Sequence, residues 1–175
     1  MPTEHEYKYL LDLNAFQVIE DLLDDRYNPI QQGYLFQESG MCARIRKFTY
    51  LNGKDEWYFT FKKHVGTRVI EIEQILDNRD GIDLWEKCVG KLTKRRYTLL
   101  ASNSKWEIDF FFDSSDTIYF ALAEIELEEG SPRPQLPQIL ENHVIHQVDL
   151  MDDRFSNTKL SDIEYAKKLY QSIKE

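Results

Sequence analysis

At 175 residues and 42% hydrophobic content, the chain has enough material for one domain with a real core, which excludes an intrinsically disordered protein. A net charge of −9 argues against non-specific nucleic-acid binding through a basic face, although a local basic pocket is compatible with it. No apolar run reaches bilayer length and no signal peptide opens the sequence, so a cytoplasmic protein without a membrane or nucleic-acid partner is expected, and Cys42 and Cys88, which lack metal-like spacing, are expected to be reduced thiols.

Taken in chain order, residues 4–10 read as a strand, and Asp12 and Asn14 stand as caps before a helix over 14–26 with Phe16, Ile19, Leu22 and Leu23 at helical spacing. Strands follow at 31–37, 43–50 and 56–63, the last two flanking Asn52-Gly53, a strong hairpin signal. Gly66 marks a turn into a strand over 68–76, and 80–89 reads as a short helix carrying Ile82, Trp85 and Val89. Strands at 94–99, 105–112 and 117–128 complete eight before the break Gly130-Ser131-Pro132-Arg133-Pro134. Beyond it the pattern turns helical: 135–141, then a last helix capped by Asn157 and running through Ile173. Eight antiparallel strands suffice to close a barrel, and no linker interrupts them.

Charge alternates along these strands. Glu4, Glu6 and Lys8 share one face, as do Arg44 and Arg46, Lys94 and Arg96, Glu71 and Glu73, Glu107 and Asp109, and Glu124 and Glu126; Lys62 shares parity with Tyr58 and Thr60. The intervening residues are mostly apolar and need burial, whereas unpaired charge in an apolar core costs several kcal/mol. The charged faces must therefore line water, each other or a ligand. Paired carboxylates suit a hard divalent cation, and basic residues on several strands suit a phosphate chain. Each set also admits a plainer reading, a solvated face or ion pairs between neighbouring strands. His143 and His146, at i and i+3, have no further histidine or cysteine placed to complete a metal site. Glycine-rich phosphate loops and a nucleophile elbow are absent.

The opening Glu4-x-Glu6-x-Lys8 resembles the signature of the CYTH domain, the triphosphate tunnel metalloenzymes. Further blocks agree in order and approximate spacing: QGYL at 32–35, RIR at 44–46, FTFK at 59–62, EIE at 71–73, KRRY at 94–97, EIDFF at 107–111, AEIE at 123–126 and RFSN at 154–157. The resemblance covers nearly the whole chain, as a single domain over 1–175, and QGYL is closest to the bacterial inorganic-triphosphatase branch. It implies an α+β, mainly β fold: a closed eight-stranded antiparallel barrel with flanking helices and a C-terminal helix near one mouth. It implies that Lys8, Arg44, Arg46, Lys62, Lys94 and Arg96 bind phosphate and that Glu4, Glu6, Glu124 and Glu126 hold Mg²⁺ or Mn²⁺. Glu71, Glu73, Glu107 and Asp109, together with Lys94, are the implied catalytic set. One departure concerns Arg68, which lies three residues before Glu71 where the family often has a basic residue two before; a bulge would restore its parity.

The activity this implies is metal-dependent hydrolysis of inorganic triphosphate or a related short triphosphate. Its rivals at the same site are a class IV adenylyl cyclase and a thiamine triphosphatase, and beyond them a polyphosphate- or nucleotide-binding module without turnover. A lipocalin-like barrel is disfavoured because its interior is apolar. Homodimer formation through an exposed flank stays open.

Overall fold

A computed structural model describes residues 4–66, 68–128, 130–150 and 152–175, and their side chains apart from those of residues 4, 5 and 68. The fold is mainly β within the α+β class, built on a nine-stranded antiparallel sheet with several helices. The strands are β1 (Glu4–Leu11), β2 (Tyr27–Glu38), β3 (Met41–Thr49), β4 (Asp55–Val65), β5 (Arg68–Leu76), β6 (Val89–Ala101), β7 (Ser104–Phe112), β8 (Ile118–Glu128) and β9 (Val144–Gln147). The helices are α1 (Ala15–Leu23), α2 (Asn78–Lys87), α3 (Gln138–Glu141), α4 (Asn157–Leu160) and α5 (Ile163–Lys174), with a 3-10 turn at Asp153–Phe155. None of them is long and apolar enough to cross a membrane, among the described residues.

The chain divides into two compact units, one of residues 1–27 and 95–175, the other of residues 28–94. In the first the strands lie in the order β6-β7-β8-β1-β9, and in the second β5-β4-β3-β2. Among the described residues the order ends at β5 and at β9, so the sheet is not closed. The expected eight strands are present, and the ninth accounts for part of the difference. β9 pairs with β1 through Tyr9 opposite Gln147 and Leu10 opposite His146, so β1 is already bonded along both edges there, to β8 on one side and β9 on the other.

The first unit buries the apolar parity of its strands. Tyr7, Tyr9 and Leu11 of β1, Tyr97 of β6, Trp106, Ile108, Phe110 and Phe112 of β7, and Ala121, Ala123 and Ile125 of β8 share one core with Ala15 and Ile19 of α1 and with Leu140. α1 stops at Leu23 because Asp24 and Asp25 turn left-handed, at φ 53° and 55°. Asn14 makes no side-chain cap; instead Asp12 Oδ1 accepts from Asn14 N at 2.9 Å. The expected long C-terminal helix is broken in two. Ser156 caps α4 through Lys159 N, and Asp162 restarts the chain as α5 through Tyr165 N.

In the second unit, α2 covers the apolar face of β3 and β4, where Ile45, Trp57 and Cys88 are buried with Leu84 and Trp85 against them. The approach is close enough that an ideal Cβ on Gly81 would stand 2.2 Å from Trp57 Cγ, and one on Gly33 would stand 2.7 Å from Cys88 Cβ. α2 begins at Asn78, earlier than the expected start at residue 80, because Asp77 Oδ1 accepts the capping bond from Asp80 N at 2.9 Å. The β4–β5 ladder runs in unbroken register from Trp57 opposite Leu76 to Val65 opposite Arg68, without the bulge that would move Arg68 to the face of Glu71. The Arg68 side chain lies outside the described residues.

Candidate functional site

These registers build two charged faces, one in each unit. In the second unit, Gln32 lies opposite Arg46 and Tyr34 opposite Arg44 across β2 and β3. Arg44, Arg46 and Cys42 stand opposite Thr60, Tyr58 and Lys62 across β3 and β4. Thr60 and Lys62 in turn stand opposite Glu73 and Glu71. Directly opposed residues point to the same side of a sheet, so all of these share the face away from α2.

Within that face, Lys62 pairs with Glu71 at 3.0 Å. Arg44 Nη2 donates to Thr60 Oγ1 at 3.1 Å and stands 3.7 Å from Glu73, whose carboxylate accepts from Thr60 at 2.9 Å. Arg46 Nε donates to Gln32 Oε1 at 3.2 Å, and Gln32 Nε2 donates to the Tyr34 hydroxyl at 2.8 Å. The Arg44 side chain is only 12% exposed, and its Nε–H meets no acceptor among the described residues. Along this stretch three cations face two carboxylates, so the surface is poised for an anion. Lys94, in the first part of β6, which belongs to the second unit, is wholly buried.

The first unit carries the complementary face. Glu6 lies opposite Glu126 and Lys8 opposite Glu124 across β1 and β8, and Glu107 lies opposite Glu124 across β7 and β8. Arg96 of β6 is clamped by Asp109, with Nε and Nη2 each 2.7 Å from a carboxylate oxygen, and also meets Glu107 and, at 3.7 Å, Glu124. Asp109 is wholly buried and Glu124 nearly so. Burial opposes the positive charge of Arg96, but Asp109, Glu124 and Glu107 outweigh it and hold its pKa above the ordinary arginine value. Lys8 behaves alike: burial works against its charge, while Glu124 at 3.3 Å and Glu6 at 3.0 Å raise its pKa above the ordinary lysine value.

Glu6, Lys105, Glu107, Glu124, Glu126 and Glu128 border a cleft of about 410 Å³ in this unit. With Lys8, Arg96 and Asp109 added, the face holds six carboxylates against three cations, so an anion approaching it is repelled unless a cation intervenes. Every candidate donor is a carboxylate oxygen, the kind of ligand that Mg²⁺ and Mn²⁺ take, so the set fits such a metal in its chemistry. Among the described residues no group of three or more His, Cys, Asp and Glu is gathered to hold a metal ion. Glu4 sits opposite Glu128 by its backbone, and its side chain lies outside the described residues.

The acidic face does not stay charged along its length. Leu10 lies opposite Leu122, and Phe111 opposite Phe120, in the same parity as Lys8, Glu124 and Asp109. Phe120 packs on Phe155 and Tyr170 at ring distances of 6.2 Å, so the C-terminal segment covers this apolar end. The Tyr170 hydroxyl accepts from Leu13 N at 3.2 Å and Lys174 pairs with Asp12 at 2.9 Å, fixing α5 in place.

Sequence reasoning finds the charged members of both faces. It misses Gln32, Tyr34 and Lys105, because their part depends on which strand lies opposite, and parity within one strand carries no such signal. His143 and His146 take structural places: His143 O accepts from Asp12 N at 2.8 Å, and the His146 ring stacks on Phe155 at 5.7 Å.

No family model and no curated protein matches the chain. Among solved structures it is similar to the hypothetical protein NE1496, at 24% identity and a TM-score of 0.56, over 91% of this chain and 97% of that one. It is similar to a Bacillus halodurans protein proposed to be an adenylate cyclase, at 14% identity and a TM-score of 0.53, over 72% and 81% of the two chains. It is also similar to HpAC1 from Hippeastrum, described as having a dominant triphosphatase activity, at 15% identity and a TM-score of 0.52, over 71% and 80%. At these identities the likeness carries the fold alone.

Proposed function

We propose that this chain is a divalent-metal-dependent hydrolase of inorganic triphosphate or a related short triphosphate. The observation that carries the reading is Arg44, held almost out of solvent with an Nε–H that no described residue accepts. Such a donor costs about 1–3 kcal/mol when left unmade. Phosphate oxygens arriving on the face of β3 and β4 satisfy it and the neighbouring guanidinium of Arg46 together.

Phosphoryl transfer asks for alignment and for neutralisation of charge on non-bridging oxygens, with little covalent help. Arg44 and Arg46 supply planar paired donors, Lys62 and Lys94 compact positive charges, and Lys8 and Arg96 remain ionised at any working pH, since their carboxylate partners raise their pKa values. Glu4, Glu6, Glu124 and Glu126 are the residues that would hold Mg²⁺ or Mn²⁺, which when bound would neutralise phosphate charge and lower the pKa of a ligated water. Glu71, Glu73 and Glu107 are the carboxylates available to receive a proton from the attacking water. Asp109 serves in this scheme by fixing Arg96. The triphosphatase activity described for HpAC1 supports hydrolysis, and the cyclase name given to its neighbours keeps ATP cyclisation as the second reading.

The deciding experiment is a product panel over tripolyphosphate, ATP and thiamine triphosphate, with Mg²⁺, with Mn²⁺ and with neither. Orthophosphate released from tripolyphosphate supports the proposal. Cyclic AMP with pyrophosphate from ATP moves the reading to cyclase, and tight metal-dependent binding without product moves it to a binding module. Arg46→Ala is expected to abolish turnover with the fold intact; full activity in that variant rejects the assignment.

A further inference from the structure

The outer face of the second unit, opposite its arginines, is covered by α2 at one end alone. There Ile45 and Trp57 are buried, with Leu35 and Phe59 packed beside them. Toward the turn at Ser39-Gly40, two further rows have the same parity. Read across β2, β3, β4 and β5, one row is Phe36, Ala43, Phe61 and Ile72. The other is Glu38, Met41, Lys63 and Ile70. The register shift between Tyr34 and Phe36 brings Phe36 here; without it Phe36 would share the side of Tyr34 and Arg44. Phe36, Ile70 and Ile72 are exposed at 39%, 42% and 56%, so large apolar side chains stand together in water. Contiguous patches of this kind mark surfaces that bind other proteins.

The charges on this face say what covers it. Glu38 and Lys63 flank Met41 in one row, one strand away on either side, about 10 Å apart. Neither side chain makes an ion pair or hydrogen bond among the described residues. A second copy laid face to face about a twofold axis along β3 brings β2 over the partner's β4. Glu38 then meets the partner's Lys63, and Lys63 meets the partner's Glu38. The same operation sets Phe36 against the partner's Phe61 and lays Met41 over its own copy, with Ile70 and Ile72 bordering the contact. Facing sheets pack about 10 Å apart, within reach of an opposed glutamate and lysine. A twofold axis makes each such pair twice. An axis between β3 and β4 instead sets Glu38 against Ile70 and Lys63 against Met41, which desolvates both charges without a partner.

We infer that this bare end of the sheet is the interface of a homodimer, built about an axis along β3 and keyed by Glu38 and Lys63. The inference stands apart from the triphosphatase reading, since it uses the opposite side of the sheet. The patch is small, so association in the micromolar range is expected.

The test is sedimentation velocity of the full chain from about 1 to 200 µM, with a reversible monomer–dimer equilibrium expected across that range. Glu38→Lys and Lys63→Glu each place like charges together twice in the dimer and should weaken it at least about tenfold. The chain carrying both reversals should regain dimerisation to within about threefold of wild type, because each pair is restored with its signs exchanged. Phe36→Gln should weaken the dimer while leaving the thermal melt of the monomer in place. A chain that stays monomeric over the whole range overturns the inference. So does a dimer that the single reversals leave unchanged, or one that the double reversal fails to restore while circular dichroism shows each variant folded.

Discussion

Arg44 and Arg96 have the same side chain and the same 12% exposure, yet only one is saturated. Arg96 has three carboxylates around it, whereas Arg44 has a threonine hydroxyl, a carboxylate at 3.7 Å and an N–H to spare. Their variants are expected to fail differently. Arg44→Ala removes an N–H that no described residue accepts, together with one hydrogen bond to Thr60 and a long pair with Glu73, so the unfolding free energy from urea titration should stay within about 1 kcal/mol of wild type, while kcat/KM for tripolyphosphate falls at least about 100-fold. Asp109→Asn leaves Arg96 buried with its main counter-charge gone, and unfolding free energy should fall by about 3–5 kcal/mol in urea titration. A third test concerns pH. Asp12 has its pKa lowered, first by the Asn14 N–H and then by Lys174. A carboxyl with a depressed folded-state pKa contributes stability above its unfolded value and loses it as pH falls through the folded value. Asp12→Ala should therefore cost about 0.5–1 kcal/mol at neutral pH, and the difference from wild type should shrink below about pH 4 in pH-resolved denaturation.

At the scale of elements, α2 holds the second unit's apolar face through contacts that leave no room for a methyl group at Gly81. Helix propensity alone favours Ala there, by about 1 kcal/mol. The clash with Trp57 should win, so Gly81→Ala is expected to lower stability by about 1–3 kcal/mol net, measured by thermal and urea unfolding. This element was legible in outline, since Trp85 and its neighbours show helical spacing, but its start at Asn78 depends on Asp77 turning back to Asp80 N, a local choice that several acids nearby were equally able to make. β9 was not legible. Val144–Gln147 is four residues long, too short for alternation to show, and forms because β1 offers it an edge. The single long helix expected after Asn157 fails for a similar reason: Ser156 and Asp162 both supply caps, and the apolar end of β8 draws Tyr170 and Phe155 onto Phe120.

Over the whole molecule, a net charge of −9 conceals a division of labour. The face in residues 28–94 has an excess of cations along Arg44, Arg46 and Lys62, while the face in the other unit has twice as many carboxylates as cations. An acidic face of this kind makes anion binding conditional on a metal. With EDTA, tripolyphosphate affinity measured by calorimetry is expected to drop at least about 100-fold relative to Mg²⁺ or Mn²⁺, and Glu126→Gln should remove most of the metal's effect. Metal-independent binding of equal strength would sink the role given to the carboxylates.

What the amino-acid order determined by itself is the parity of charge: which residues of each strand must stay out of an apolar core, because burial of unpaired charge is prohibitive whatever the fold. That was enough for the strand-rich class, for both charged sets and for the resemblance to a CYTH domain. What only the tertiary structure decided is who stands opposite whom. Cross-strand register places Asp109 under Arg96 and Thr60 beside Arg44, and it turns one carboxylate into a buried clamp while leaving one guanidinium short of an acceptor. Parity is a property of a single strand; register depends on contacts between segments far apart in the chain, and these form only when the sheet does.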